Sequence, residues 1–407
     1  MPGISIRRAA RHAIPQVWAL TVPRRQLRLV YLITSKGGFW GGAESQVHSL
    51  ARSFRQRGWD VGVVSMLPNE SSLVDLESQG IRVATLGLRS GVPDPRGAVR
   101  LLRLLQRWKP DVLHAHMVHA NLLARLTRPV SRTPVLISTI HNENEGSQWR
   151  YRAYGWTHRL SDVTSAVSGR AVDESIRRGA APAGGVVLVP NGISIDAYRP
   201  DLSVRLATRE GLGLTDEFAW LAVGRVTEAK AYPDMVEAFG QVIAHRPAAR
   251  LLIAGIGPLE GLLRERIRAA ELTDEITPLG LRSDIPALMQ AADAFVMSSA
   301  WEGLPMVLLE AGASALPIVA TDVGGSRDAV IDGRSGYLVP AGQPQDLARA
   351  MRTVMELPED QRQAMGDAGR AHIVQTFDLD AVVDRWEALY LAELRASKPE
   401  LWGVAPG

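Results

Sequence analysis

The chain has 407 residues, of which 46% are hydrophobic and 22% are charged, the composition of an ordinary globular protein. This length suggests two domains of about 200 residues, each large enough for a core of its own. The sequence contains no cysteine, which excludes disulfides and thiolate metal sites. No apolar run reaches the roughly 18 residues that a membrane-spanning helix needs.

Charge is distributed unevenly along the chain. Residues 1–190 contain 26 Lys and Arg against 12 Asp and Glu, whereas the remainder contains 20 against 31. Such asymmetry bears on partners and not on fold. It fits a solvated basic surface, or attraction to anionic membrane lipid or a phosphate-bearing acceptor. Nucleic acid fits least well, because aromatic residues make up only 6% of the chain and no recognition motif occurs.

Residues 1–26 are a basic N-terminal extension with five arginines and no acidic residue. The apolar stretch IPQVWALTVP within it is too short, and too interrupted by proline, for a signal peptide or a membrane span. Two interpretations are open: a disordered leader, or a basic tether at a membrane surface.

From residue 27 onward, short apolar runs alternate with helical patterns, such as those over residues 43–57 and 99–108. The first series is LRLVYLIT, VGVVSM, IRVATL, DVLHAH, PVLISTI, VTSAVS and VVLVP, and the second is FAWLAVG, ARLLIAG, ITPLG, AFVMSS, PIVAT and GYLVP. This alternation predicts parallel sheets covered on both faces. We therefore predict an α/β protein with two doubly wound, Rossmann-like domains that bind a ligand in a cleft at the carboxyl ends of the strands.

The segment NGISIDAYRPDLSVR between the two series is rich in turn formers, and we interpret it as a linker. The predicted domains are residues 27–199 and 200–378. A final helix over residues 379–395, within a closing segment 379–407, has no docking partner that the pattern alone assigns.

Two carboxylates, Glu302 and Glu310, lie in the stretch WEGLPMVLLEAGASALPIVATDVGG, where a strand gives way to an apolar helix. Pro305 suits the first helical position, and the free N–H groups just after it would form an anion site with the helix dipole. Glu310 has apolar neighbours on both sides, which fits a solvated helix position poorly. Because carboxylates do not bind phosphate, we predict that both face sugar hydroxyls.

The stretch LAVGRVTEAK ends a strand at Gly224 and continues with Arg225 and Lys230. A planar guanidinium and a point charge placed there can share the oxygens of a diphosphate, although surface cations are the alternative interpretation.

Four glycines, Gly37, Gly38, Gly41 and Gly42, make up the first strand-to-helix turn. Glycine at such a turn lets the backbone approach a phosphate closely.

Histidines follow two strand ends of the N-terminal half. His114 and His116 in DVLHAHMVHAN share one face of a strand, and His119 begins the next helix. No cysteine or well-spaced carboxylate completes a metal set around them, so the interpretations are a packed or capping role, or a substrate-facing imidazole for His116. STIHNENEG places His141 and Asn142 after another strand end, as acceptor-side contacts. The DLD at residues 378–380 is interpreted as a helix cap, and we predict no metal site.

Taken together and in this order, six segments from Leu27 to the end of the chain resemble glycosyltransferase family 4, whose members have the GT-B fold. The segments are GGAESQVHSLARSFRQRGWDV, DVLHAH, VPNGI, VGRVTEAK, LLIAGIGP and EGLPMVLLEAGASALPIVATDVGG.

The resemblance implies a retaining transfer from a nucleotide-diphosphate sugar without metal or other cofactor. Arg225 and Lys230 would hold the diphosphate, Glu302 would contact the donor sugar and Glu310 the ribose, and His116 would lie by the reacting carbon. The other implied donor-binding positions are Gly41, Gly42, Gly224, Gly303, Leu304, Met306 and Val307. The last helix would cross back onto the N-terminal domain.

The resemblance further implies an acceptor that is a glycan or a polyprenyl-linked sugar of bacterial surface polysaccharide. We expect a cytoplasmic protein, with peripheral association at the inner face of the plasma membrane as an open alternative, and no nucleic-acid partner. Two other functions stay open: a non-catalytic nucleotide-sugar-binding protein and a GT-B epimerase.

Overall fold

The computed structural model describes residues 25–34, 41–68, 70–89 and 94–402, with no side-chain description for 70–73. The chain divides into two compact units. The first takes the chain up to Gly192 together with the segment from Leu379 onward, and the second is Ile193–Asp378. Most of the basic extension, with Gly37 and Gly38, lies outside the described residues. Arg25, at the end of that extension, forms an ion pair with the buried Asp111, with 2.5 Å between Nη2 and Oδ1.

The sheet of the first unit has seven parallel strands in the described residues, in the order β3-β2-β1-β4-β5-β6-β7. The central strands are buried along nearly their whole length, which explains why they read as continuous apolar runs and not as alternating ones. The strands are β1 (Arg28–Ile33), β2 (Asp60–Ser65), β3 (Arg82–Thr85), β4 (Val112–His116), β5 (Val135–Ile140), β6 (Val163–Ala166) and β7 (Val187–Leu188).

Helices connect successive strands, because parallel strands need a crossover connection. They are α1 (Gly42–Gln56), α2 (Glu70–Ser78), α3 (Arg96–Trp108), α4 (Val118–Ser131), α5 (Gln148–Thr157) and α6 (Gly169–Arg177). Helix α1 shows why such a segment folds: Val47, Leu50, Ala51 and Phe54 repeat at helical spacing and are fully buried. His119 lies in the first turn of α4.

The last long helix, α15 (Leu379–Ser397), packs against α1 and completes the core of the first unit. Its Tyr390 ring lies 5.2 Å from that of Phe54. At the rim of this contact, the Trp59 indole N–H donates to Glu387 over 2.9 Å.

The second unit contains a six-stranded parallel sheet in the order β10-β9-β8-β11-β12-β13. The strands are β8 (Phe218–Val223), β9 (Ala249–Ala254), β10 (Ile276–Gly280), β11 (Ala294–Met297), β12 (Ile318–Thr321) and β13 (Gly336–Val339). The helices are α7 (Leu202–Gly211), α8 (Tyr232–Ile243), α9 (Glu260–Ala269), α10 (Ile285–Ala291), α11 (Met306–Ala313), α12 (Ser326–Ala329), α13 (Pro344–Glu356) and α14 (Glu359–Phe377).

The segment interpreted as a linker belongs to the second unit from Ile193 onward, so the boundary falls earlier than residue 199. Residues 195–198 form a 3₁₀ turn, and α7 begins within the predicted linker. Asp201 caps that helix, because its Oδ1 accepts from the backbone N–H groups of Ser203 and Val204. The sequence pattern missed this helix because turn-forming residues precede it directly.

No helix in the described part of the chain combines the length and apolar character that crossing a bilayer demands.

Candidate active site

Each sheet has a point where the order of its strands reverses. In the second unit this point lies between β8 and β11, and in the first between β1 and β4. Consecutive crossovers leave in opposite directions there, which opens a crevice at the carboxyl ends of the strands. The predicted residues Arg225, Lys230 and Glu302 follow β8 and β11, whereas His116 ends β4.

An ion pair joins the two strand ends of the second unit. Lys230 Nζ lies 2.6 Å from Glu302 Oε1, and the Ser299 hydroxyl donates to the same oxygen over 2.7 Å. The backbone around this pair is also connected: the Ser298 hydroxyl donates to the carbonyl of Lys230 over 2.8 Å. Both charged side chains keep less than a fifth of their surface exposed, at 18% for Lys230 and 16% for Glu302. The two predicted residues are therefore held in one geometry.

Gly224 provides the space through which the Lys230 side chain passes. A Cβ built on Gly224 would lie 2.9 Å from Lys230 Cε, closer than carbon atoms approach. The Tyr232 hydroxyl fixes the same peptide by donating to the Gly224 carbonyl over 3.0 Å.

Arg225 is exposed, and its guanidinium has no hydrogen-bond or ion-pair partner among the described residues. The structure therefore does not join it to the Lys230–Glu302 pair. A cation without a protein partner at this strand end is available to an anion.

Helix α11 starts at Met306, and Pro305 is its N-cap with extended φ and ψ of −71° and 106°. The expectation that Pro305 occupies the first helical position is wrong by one residue, because the backbone turns helical only after the proline. The first N–H groups of the helix, on Met306 and Val307, have no partner within the helix. They present the positive end of the helix dipole beside Glu302.

Gly324 and Gly325, at the end of the motif, pack against the backbone of the loop that precedes α11. Gly324 has a φ of +52°, and a Cβ there would lie 2.5 Å from the Gly303 carbonyl oxygen. The next residue, Gly325, donates its N–H to that same oxygen over 2.5 Å. Gly303 and Leu304 are buried as a result, so they contribute backbone to the site and not side chains.

Glu310 lies about 6 Å along the axis of α11 from the helix start. Burial raises the pKa of its carboxyl to about 7, against the opposing effects of a hydrogen bond from the Tyr198 hydroxyl and of the Lys230 charge. Burial and the neighbouring Glu310 also raise the pKa of Tyr198. Sequence reasoning missed Tyr198, since its only signal was a lone aromatic residue in a turn-rich segment.

Buried, neutral imidazoles line the corresponding strand ends of the first unit. His116 Nδ1 lies 2.9 Å from His141 Nε2, which connects the ends of β4 and β5. His116 and His114 do share one face, with ring centroids 4.0 Å apart. The His116 ring is only 1% exposed, and its Nε2 has no hydrogen-bond partner among the described residues.

Burial controls the protonation of this imidazole group. It lowers the pKa of His141 to about 4, and it holds the pKa values of His114 and His116 well below the usual range. His114 is held between the Tyr390 hydroxyl at its Nδ1 and the Thr139 hydroxyl at its Nε2, each at 2.6 Å. All three rings are therefore neutral near pH 7.

The loop after β5 contains a second buried carboxyl group that the sequence did not single out. Burial raises the pKa of Glu145 to about 7, and its Oε1 has no partner in the described part of the chain. Asn142, predicted as an acceptor-side contact, is exposed in the same loop. The exposed Asn142 amide can bind hydroxyl groups, whereas the Glu145 carboxyl lies buried beneath the loop surface.

Gly41, of the first glycine turn, is the extended N-cap residue of α1. Its N–H donates to Glu44 over 2.7 Å, and a Cβ there would lie 2.4 Å from Glu44 Oε2. Gly42 is the first residue of α1. Within the described residues, no group of three or more His, Cys, Asp or Glu side chains is arranged to hold a metal ion.

Two Rossmann-like parallel sheets, each with a strand-end crevice at its reversal point, give the chain the GT-B fold. The family model for Glycosyltransferase Family 4 matches residues 40–197, and that for Glycosyl transferases group 1 matches residues 205–372. The chain belongs to glycosyltransferase family 4.

Relatives of named function are similar over most of the chain. The UDP-Gal:alpha-D-GlcNAc-diphosphoundecaprenol alpha-1,3-galactosyltransferase of Escherichia coli is 25% identical over 74% of this chain and 80% of its own length. Phosphatidyl-myo-inositol mannosyltransferase of Mycobacterium tuberculosis is 28% identical over 76% and 82%. Among solved structures, HepE of Anabaena in complex with UDP-glucose superposes with a TM-score of 0.79 at 24% identity, over 89% of this chain and 99% of that one.

Proposed function

We propose that this glycosyltransferase moves a sugar from a nucleotide-diphosphate donor, with retention of configuration and without a metal, to a glycan or polyprenyl-linked acceptor in bacterial surface polysaccharide synthesis. The observation that carries this proposal is the Lys230–Glu302 pair, 2.6 Å long, beside the start of α11. It places a cation, a carboxylate and helix N–H donors at one strand end.

In this proposal, Lys230, the unpaired Arg225 and the backbone N–H groups of Met306 and Val307 bind the diphosphate. Positive charge and fixed donors stabilise the negative charge that grows on the diphosphate as its bond to the sugar breaks. Lys230 and the helix N–H groups are held in position before the reaction, so they need no reorganisation when the charge develops.

The two carboxylates bind hydroxyl groups of the donor. One oxygen of Glu302 accepts from Lys230 and Ser299, and its second oxygen is available to the donor sugar. Glu310 accepts from the ribose. Its pKa of about 7 means that a substantial share of it is ionised at neutral pH, and the Tyr198 hydroxyl favours that form.

Retention follows from attack on the face that the diphosphate leaves. The anomeric carbon–oxygen bond to the diphosphate breaks, a bond to the acceptor hydroxyl oxygen forms on the same face, and the acceptor proton passes to the departing diphosphate oxygen. No nucleophilic carboxylate is required. His116 contributes a neutral imidazole beside the reacting carbon, with Nε2 as its unpaired atom.

The names of the relatives support the acceptor class. One relative is named for a diphosphoundecaprenol-linked acceptor and another for a phosphatidyl-inositol acceptor. We infer that the first unit, with His141 and Asn142, binds the acceptor, and that the enzyme acts in the cytoplasm at the inner face of the membrane.

The deciding experiment measures binding and turnover separately. A panel of UDP-, GDP- and ADP-sugars is screened by thermal shift, and the stabilising donors are then incubated with polyprenyl-diphosphate sugars. Release of nucleotide, together with an α-linked product from an α-linked donor by NMR, is the expected result. Stabilisation without turnover would instead identify a binding protein, and an epimerised donor in the absence of acceptor would identify an epimerase.

A further inference from the structure

Helix α5 (Gln148–Thr157) has two contrasting faces. Tyr151 and Tyr154 point inward and are 1% and 0% exposed. Trp149 and Trp156 lie on the opposite side, with 56% and 84% of their surface exposed. Two tryptophans exposed on one helix face fit an environment in which the ring is apolar on one side and hydrated on the other.

Arginines continue the same face. Arg152 lies between the two tryptophans, and Arg159 follows in the 3₁₀ turn after the helix. The spacing of three, four and three residues places Trp149, Arg152, Trp156 and Arg159 in one line, which we name the Trp-Arg stripe. Both arginines are exposed and have no partner among the described residues.

A groove of about 780 Å³ runs beside this stripe. It is lined by Arg152, Trp156 and Arg159 together with His158 and Arg178, and by no acidic side chain in the described residues. Arg178 is held in place, because its guanidinium stacks 3.8 Å from the centre of the Tyr151 ring. Arg178 also pairs with Glu174 at 3.8 Å, so the unpaired positive charge of the groove comes from Arg152 and Arg159, beside an exposed indole.

We propose that the Trp-Arg stripe and its groove dock the first unit on a membrane rich in anionic phospholipid, with a headgroup phosphate in the groove. Tryptophan favours the bilayer interface, where its ring is apolar and its N–H stays hydrated, while arginine binds phosphate through two parallel hydrogen bonds. The excess of 26 basic over 12 acidic residues in positions 1–190 attracts the whole unit to such a surface.

The arginines of the stripe argue against a second copy of the chain and against a protein partner as the occupant of this surface. A second copy meeting this face across a two-fold axis would bring Arg152 and Arg159 against their own counterparts. An ordinary protein interface has a contiguous apolar centre, whereas here the tryptophans alternate with arginines. An anionic membrane suits both residue types, because its interface binds tryptophan and its phosphates bind arginine.

This inference deepens the proposed function, since a polyprenyl-linked acceptor lies in a membrane. Binding to vesicles is measured without donor or acceptor, however, so either proposal can fail while the other stands.

The test is flotation of the full chain with phosphatidylcholine vesicles and with vesicles that also contain phosphatidylglycerol. We expect binding to the anionic vesicles alone. Arg152→Gln/Arg159→Gln should weaken it about 25-fold, because each basic residue near an anionic surface contributes about fivefold. Trp149→Ser/Trp156→Ser should weaken it at least about tenfold.

Control variants change two exposed apolar residues and two exposed arginines on the second unit. Leu202 and Leu206 are exposed apolar neighbours on α7, and Arg264 and Arg266 are exposed on α9. Leu202→Ser/Leu206→Ser and Arg264→Gln/Arg266→Gln should bind as the unmodified chain does. Circular dichroism must show that every variant folds.

Two outcomes overturn the proposal. One is equal binding by the stripe variants and the unmodified chain, which would move lipid binding elsewhere, with residues 1–24 as the next candidate. The other is a dimer in sedimentation that the stripe variants alone dissociate, which would make this face a contact between copies.

Discussion

The strand ends of the second unit carry charged side chains, whereas those of the first unit carry neutral ones. In the second unit, Lys230 and Glu302 form an ion pair and Arg225 is exposed without a partner. In the first unit, buried imidazoles are kept neutral and hold one another through hydrogen bonds. The charge of Lys230 and the exposed Arg225 suit the second edge to an anion, whereas the neutral rings of the first edge offer an anion no charge. The predictions below test this division of labour.

Lys230→Ala should have the largest effect. It removes a fixed positive charge from the diphosphate site, which typically costs about 10²–10³-fold in kcat. Steady-state kinetics at saturating donor measure the loss. Arg349→Ala, which breaks the exposed pair with Asp346 on α13, is the control and should retain full activity. A Lys230→Ala enzyme with near-normal kcat would remove this residue from the mechanism.

Glu145→Gln should change how stability depends on pH. The folded-state pKa of Glu145 is raised to about 7 from an ordinary 4.5, so its contribution to stability is complete below pH 4.5 and is lost as pH rises through 7. Relative to Glu145→Gln, the unmodified chain should therefore lose about 3 kcal/mol between pH 4 and pH 8. Denaturant midpoints across that range check this, with the exposed Glu77→Gln as control. A constant difference would show that the pKa of Glu145 is the same in the folded and unfolded chain.

Tyr198→Phe should weaken donor binding most strongly near neutral pH. Removing a hydrogen bond from the ionised form of Glu310 raises its pKa further above 7, so the acidic limit of donor binding moves to higher pH. Glu310→Gln should lose donor affinity at every pH, by about tenfold to 100-fold, the value of a hydrogen bond to a charged group. Isothermal titration from pH 6 to pH 9 separates the two variants. An unchanged pH profile for Tyr198→Phe would contradict the coupling.

Tyr390→Phe should destabilise the first unit by about 1–3 kcal/mol, because the buried Nδ1 of His114 loses its partner at 2.6 Å. Thermal unfolding measures the loss. Tyr337→Phe in the second unit is the control, since its hydroxyl has no hydrogen-bond partner among the described residues. Equal melting temperatures for the two variants would argue against a structural role for the Tyr390 hydroxyl.

EDTA should have the smallest effect, with transfer rates unchanged. In our proposal, Arg225, Lys230 and the start of α11 neutralise the diphosphate, which leaves no task for a divalent ion. Nucleotide release measured with and without chelator checks this. A strict requirement for Mn²⁺ or Mg²⁺ would contradict it.

The sequence predicted what is local in the chain. Apolar runs predicted the thirteen strands of the two sheets, since buried parallel strands have a continuous apolar pattern that survives without their neighbours. The motif around Glu302 and Glu310 was visible because both carboxylates and the helix start lie within a few residues. The helix that begins at Leu202 was missed because its cap, Asp201, sits among turn residues.

The sequence pattern did not predict contacts between residues that are far apart in the chain. Tyr198 and Glu310, which shift each other's pKa, are far apart in sequence, and so are Tyr390 and His114, which are hydrogen-bonded. The role of the glycines in LLIAGIGP also depends on a contact that is distant in sequence and was not predicted. A Cβ on Gly255, whose φ is +147°, would lie 2.0 Å from the Gly224 carbonyl oxygen, so this glycine permits close packing of two strand ends.

The position of α15 constrains how the molecule is made. Val382, Val383, Trp386 and Leu394 belong to the same apolar cluster as strands β1 and β4, although the whole second unit precedes them in the chain. The N-terminal part of the first unit is translated first, but its core is incomplete until α15 has been made. The second unit, Ile193–Asp378, is translated before α15 and can fold first. A premature stop codon that removes only the final helix would leave the earliest-made part of the protein open to proteolysis and its partner unit intact.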